Sequence, residues 1–94
     1  EQPTAIIERE WVENVALWPN PVEDVIGLSF NSLNHASLSL TIFDLNGRVV
    51  HSANTVVNTG QNNHRIHVAD LEAGMYLLQI ANGNQHTSRR FVKR

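Results

Sequence analysis

The sequence predicts an all-β chain, folded as a single two-layer sandwich of about seven antiparallel strands. Three observations carry that expectation. Apolar residues alternate with a period of two through most of the chain, and no segment sustains a helical period. Turn chemistry interrupts the alternation roughly every eight to twelve residues. Two Asn-Gly pairs, Asn46-Gly47 and Asn82-Gly83, mark hairpins, because both central positions of a type I′ turn need positive φ.

The elements follow in order. Val15-Ala16-Leu17-Trp18 reads as a short first strand. Pro19 and Pro21 end it, since neither can donate to a ladder, and they are expected to hold the chain extended. Asp24–Asn31 is the second strand, with Ile26, Leu28 and Phe30 on one face. A polar loop over Asn31–Ser37 leads to a third strand, in which Leu38, Leu40 and Ile42 alternate with Ser39, Thr41 and Phe43. Beyond Asn46-Gly47 the return strand is Arg48–Ala53. Asn54–Asn63 reads as looser chain with a short edge strand around Val56-Val57. Arg65–Ala69 is the next strand, with Ile66 and Val68 inward, and Asp70–Gly74 is a compact turn. Met75–Ala81 is apolar on both faces and should be central. Gln85–Val92 closes the chain, with Phe91 its core contact. The sum is a sandwich of immunoglobulin-like kind. The Cys–Trp–Cys spacing of antibody domains is missing, so the likeness is architectural.

Ninety-four residues are one domain's worth of chain. The net charge of −2 argues against a nucleic-acid partner, which would want a basic contact face. No apolar run approaches the ~18 residues of a helical membrane span. Cysteine is absent, which excludes disulfides, thiolate metal sites and a cysteine nucleophile. The eleven Asn suit a chain that reverses direction many times. Charge is segregated. Glu1, Glu8, Glu10 and Glu13 stand near the start; Arg89, Arg90, Lys93 and Arg94 stand near the end. Residues 1–13 read as an acidic linker from an upstream domain, and residues 14–94 as the folded domain.

Candidate chemistry is sparse. His64 and His67 sit three apart on a strand and face opposite ways, while His35, His51 and His86 lie in unrelated segments, so no metal site is expected. Asp24, Asp44 and Asp70 each adjoin a turn, where Asp is expected to accept from backbone N–H groups. No nucleophile elbow and no phosphate loop occurs, so neither an enzyme nor a cofactor is expected. Trp11 and Trp18 leave open a carbohydrate-binding or adhesive module. The basic end has two readings: a charged edge strand that discourages pairing, or a positive patch for an acidic partner.

Four segments, in order, resemble one family. They are Leu17-Trp18-Pro19-Asn20-Pro21-Val22-Glu23-Asp24, Ile42-Phe43-Asp44-Leu45-Asn46-Gly47-Arg48-Val49-Val50, Asp70-Leu71-Glu72-Ala73-Gly74-Met75-Tyr76, and Phe91-Val92-Lys93-Arg94. Together they are similar to the type A C-terminal sorting domain of the type IX secretion system of Bacteroidetes. Its pattern is Y-P-N-P-x-x-D, then I-Y-D-x-x-G-R/K, then L-x-x-G-x-Y, then a basic end. Trp18 and Phe43 stand where that family usually has Tyr. The resemblance spans residues 15–94.

The resemblance implies a passenger address with no catalysis of its own. It would direct an upstream cargo across the outer membrane, passing through the periplasm to the cell surface or the medium. The implied partners are the translocon, an outer-membrane shuttle barrel and a sortase-like cysteine peptidase that removes the domain. Arg89, Arg90, Lys93 and Arg94 are the expected recognition residues. Pro19, Asn20, Pro21, Asp24, Asp44, Gly47, Arg48, Gly74 and Tyr76 are expected to be mainly structural. An exposed final strand would also permit an edge-strand dimer.

Overall fold

The computed structural model describes residues 12–83 and 85–94. Residues 1–11, with Trp11 and most of the acidic segment, lie outside the described residues. Seven antiparallel strands form two sheets: β1 (Val12–Trp18), β2 (Val25–Ser32), β3 (Ala36–Phe43), β4 (Val49–Val57), β5 (Gly60–His67), β6 (Gly74–Asn82) and β7 (Gln85–Lys93). One sheet has the order β1-β2-β5, the other β4-β3-β6-β7. This is the all-β, immunoglobulin-like sandwich that the period-two pattern predicts, with β4 placed beside β3.

Inward positions follow the expected alternation. Ile26, Leu28 and Phe30 of β2 face Leu38, Leu40 and Ile42 of β3 and Leu78 and Ile80 of β6, and all are buried. Val12, Val22, Val57, Ile66, Val68, Tyr76 and Phe91 complete this core. Full burial of each such side chain gains about 1.5–3 kcal/mol, so the sandwich rests on some fifteen side chains. β6 is an inner strand, paired on both sides. Its second face carries Met75 and Leu77, the former exposed.

Several strand bounds differ from expectation, each for a local reason. β1 begins at Val12, three residues before the expected start. Val12 is fully buried and pairs with Ser32, and the register shifts between Glu13 and Ala16, where Asn14 has φ 57°. The bulge breaks the alternation that would have shown the strand. The stretch expected to be loose is regular instead: β4 runs through Val57 and β5 starts at Gly60. Asn62 secures this crossing between sheets, its amide donating to Asn58 O at 2.8 Å and Gly60 O at 2.9 Å.

The two Asn-Gly pairs also resolve differently. Gly47 has φ 86°, but Asn46 stays at negative φ. Gly47 N–H donates to Asp44 O at 3.0 Å and Asp44 N–H to Arg48 O at 2.9 Å. The loop is therefore the three-residue kind, with glycine in the left-handed position, rather than type I′. At the second hairpin Asn82 is the last residue of β6 and pairs with Gln85, so Asn82 belongs to the strand and not to the turn. The segment after β1 bends at Pro19–Pro21 rather than running extended, and both X-Pro bonds are cis.

Trp18 packs at the sandwich edge, half exposed, with its indole over Gly27. A Cβ at Gly27 would come within 2.8 Å of the ring, so the small residue makes room for the large one.

His64 faces inward opposite Leu28, stacked on Phe30 at 5.7 Å between centroids. Its Nε2 is buried without a partner among the described residues, and burial lowers its pKa from 6.5. The unfolded chain therefore binds this proton more readily than the fold does. Its contribution to stability is complete above pH 6.5 and is lost as the pH falls towards the depressed folded-state value. Urea unfolding followed from about pH 7.5 to pH 5 should show declining stability, and His64→Leu should flatten the slope. An unchanged slope in the variant would assign the effect elsewhere.

Candidate functional site

Strand alternation decides where the motif segments meet. β1, β3, β5 and β7 end at one pole of the sandwich, and β2, β4 and β6 begin there. Residues 19–24, 44–48 and 68–73, together with the end of β7, therefore share that pole. All four segments quoted from the sequence converge on it.

The first segment is a strap across the last strand. Val22 is fully buried and forms a parallel bridge with Lys93. Val22 N–H donates to Val92 O at 2.8 Å, and Arg94 N–H donates to Val22 O at 2.8 Å. Asn20 completes the strap, its Oδ1 accepting from Val92 N–H at 2.9 Å. Pro19 and Pro21 flank Asn20, and the Asn side-chain oxygen supplies the acceptor that Val92 N–H takes. At Asp24 the main-chain carbonyl makes the contact, accepting from Val68 N–H at 2.8 Å. The carboxylate, expected to cap the following turn, has no hydrogen-bond partner among the described residues.

The second segment is held by Asp44. Its Oδ1 accepts from the N–H groups of Asn46 (2.9 Å) and Arg48 (3.0 Å), and its Oδ2 accepts from Arg48 Nε at 3.0 Å. The Arg48 N–H bond contributes most to holding this carboxyl below its ordinary value, against the opposing effect of desolvation. Gly47 supplies the left-handed residue the loop requires.

The third segment ends in a tyrosine corner. Tyr76 buries its ring, stacks on Phe91 at 5.7 Å, and donates its hydroxyl to Glu72 O at 2.7 Å. Gly74 opens β6 at φ 152° and pairs with Lys93. The second and third loops lie side by side, and residues 44–46, 48 and 70–76 line one shallow depression.

The four basic residues reach the pole or its flank but do not form one patch. Lys93 points inward, only 7 % exposed, and donates from Nζ to Arg94 O at 2.9 Å. Arg94 lies 3.6 Å from Glu23 with both groups largely exposed, a pair worth little to stability. Arg89 and Arg90 leave β7 on opposite faces. Arg89 donates to Thr87 Oγ1 and Ser88 O, while Arg90 joins Phe43 and Leu77 beside a groove on the outer face. No trio of His, Asp or Glu able to hold a metal ion occurs among the described residues.

A small antiparallel sandwich with a strapped edge strand and a tyrosine corner defines the chain as an immunoglobulin-like β-module. The sequence model of the family described as "Secretion system C-terminal sorting domain" matches residues 16–94, and the chain belongs to that family. No curated protein matches the chain. Membership makes the domain a type IX sorting signal, which acts with the secretion machinery on behalf of an upstream cargo and implies export to the surface or secretion. Neither the match nor the geometry supports the carbohydrate-binding alternative.

Two substitutions test this construction. Tyr76→Phe strands the Glu72 carbonyl and should cost about 1–2 kcal/mol in chemical denaturation, with an unchanged denaturant slope. Asn20→Ala should accelerate amide hydrogen exchange at Val92, and Asn20→Asp, which keeps an acceptor oxygen, should restore protection. Equal exchange in both variants would remove the strap role given to Asn20.

Proposed function

We propose that the sandwich from Val12 to Arg94 is the export address, since Val12 and Glu13 stand in β1, and that the acidic chain before it is the linker to its cargo. The pole built by the strap, the Asp44 loop, the tyrosine corner and the end of β7 is the face offered to the translocon. Arg89, Arg90 and Arg94 are its exposed recognition residues, and Lys93, buried behind them, fixes the Arg94 end; Pro19, Asn20, Pro21, Asp24, Asp44, Gly47, Arg48, Gly74 and Tyr76 position it. The domain passes through the periplasm, engages an outer-membrane shuttle barrel, and is removed by a sortase-like cysteine peptidase cutting upstream of Val12, the buried first residue of β1. An acidic linker suits such a cut, because proteolysis favours exposed chain between domains.

The observation that carries this reading is convergence. Four segments far apart in sequence meet at one pole, and the strap ties the first of them to the last. A signal made of fold-forming residues is read as a shape, with charge at its margin giving direction to the encounter.

Residues 1–94, fused behind a reporter carrying a periplasmic signal peptide, should bring that reporter to the surface of a type IX-competent host. Truncating the tail is a poor test, since it also deletes core residue Phe91. Arg89→Gln, Arg90→Gln, Lys93→Gln and Arg94→Gln together should leave the circular dichroism spectrum unchanged and trap the reporter in the periplasm. Normal export of the folded variant would overturn the role of these bases. Failure of the unsubstituted fusion would overturn the address itself.

A further inference from the structure

β7 is an edge strand whose ladder to β6 runs without a register shift over Gln85–Lys93. In an antiparallel ladder the residues alternate, so every second residue turns both its N–H and its C=O away from the partner strand. The strap fixes the phase. Val92 N–H and C=O and Arg94 N–H point outward, since Asn20 and Val22 take them. His86, Ser88 and Arg90 therefore also point outward. Nothing on the strap reaches them, and Asn20 closes the edge at Val92. The edge is thus divided: its end is covered by the strap, and residues 85–91 are free of it, though Ser88 O accepts from the Arg89 guanidinium at 2.9 Å, a contact that an incoming carboxylate would displace.

Charge distinguishes this open half from the other edges. β1 is broken by its bulge, and β4 pairs with β3 through a register shift. β5 is regular but carries one arginine, Arg65. On β7, Arg89 and Arg90 flank the edge from both faces, and both are exposed. The ion pairs among the described residues are Asp44–Arg48 and Glu23–Arg94, and neither involves these two arginines. On the outer face the register sets Arg90 in line with Leu77 and Phe43, which gives the second face an apolar floor.

We infer that the open half of β7 accepts an extended acidic segment of a partner protein as an added strand. Main-chain bonds to His86, Ser88 and Arg90 supply affinity. The two guanidiniums select carboxylates on either face of the incoming strand, and the apolar floor takes a side chain beside Arg90. The strap is a register stop, because the incoming strand cannot pass Asn20. For its biological setting this rests on the sorting-signal reading, whose recognition residues it divides: Arg89 and Arg90 contact the partner, while Lys93 and Arg94 belong to the strapped end.

The probe is a labelled alternating Glu–Val octapeptide, with a Lys–Val octapeptide as its counterpart, titrated against residues 1–94. The acidic peptide should bind and shift the backbone amides of residues 86, 88 and 90, and the basic peptide should not. Ser88→Pro removes an outward donor without touching the β6 ladder, a position where an edge strand tolerates proline. It should weaken binding at least tenfold, and Ser88→Ala should not. Arg89→Glu with Arg90→Glu should abolish binding of the acidic peptide. Ser88→Pro binding as tightly as the parent, or shifts confined to another edge, would overturn the inference. So would self-association through residues 85–91 that the peptide fails to displace, since the occupant would then be a second copy. In the reporter fusion, retention of Ser88→Pro alongside export of the parent supports the inference. Export of both overturns it and leaves the sorting signal standing. Should the parent itself stay inside, the sorting reading fails and the titration alone decides the edge.

Discussion

The strap over the last strand is the constraint on which the rest of the molecule depends. Residues 19–24 leave the sheet of β1, β2 and β5 and dock on β7, an edge of the other sheet. A sandwich of this size has two layers and little else, so its open sides are its weak places. Val22 plugs one of these sides with a fully buried side chain, and its backbone completes the ladder of Val92 and Arg94. The same contact fixes the end of β7 against Gly74 and Tyr76 on β6. Strap, last strand and tyrosine corner thus hold one another, since Phe91 lies under the Tyr76 ring and one residue from the strapped Val92.

This arrangement separates two properties that the basic end had in common. Lys93 and Arg94 sit in the strapped part, one buried and one beside Glu23. Arg89 and Arg90 sit in the open part, exposed on both faces. Charge at an open edge normally discourages unwanted pairing. It does so selectively, however. An edge lined with arginine rejects basic strands and copies of itself, and favours a strand rich in carboxylates. The two readings of the basic end, protective and recognitive, are therefore one mechanism seen from two partners.

Much of the fold was legible in the sequence because the signals were local. Period-two alternation gave the inward residues of β2, β3, β5 and β6, and the apolar second face of Met75 and Leu77 placed β6 inside its sheet. The turn at Asp44 was legible as a turn but not in type, because Asn-Gly fits two loop lengths equally well. The start of β1 was hidden by a bulge, and the β4–β5 crossing by asparagines that read as loop. Asn62 shows why: its amide is a strand residue's tie to the preceding turn, a use that composition cannot distinguish from loop chemistry. The site was legible as segments and not as a place. Asn20 stood in the quoted motif without a role, because its partner, Val92, is distant in sequence and the bond depends on the strap's path. Asp24 was assigned a side-chain role that its carbonyl performs instead.

The proposed overlap of folding and signalling residues has a consequence for what the pole can report. Tyr76 must bury its ring, Asp44 must organise its loop, and Asn20 must find Val92 before the four segments adjoin. Each of these contacts forms only in the native arrangement, and the Asn20 contact closes between residues far apart in sequence. An unfolded or truncated chain carries the same motifs in order but presents no pole. A signal written only in linear residues would be displayed by folded and unfolded chains alike. A signal built from tertiary contacts is displayed by the folded chain alone. Machinery that binds this pole therefore tests the state of the domain as well as its identity, and the small margin of stability expected at this length makes that test a sensitive one.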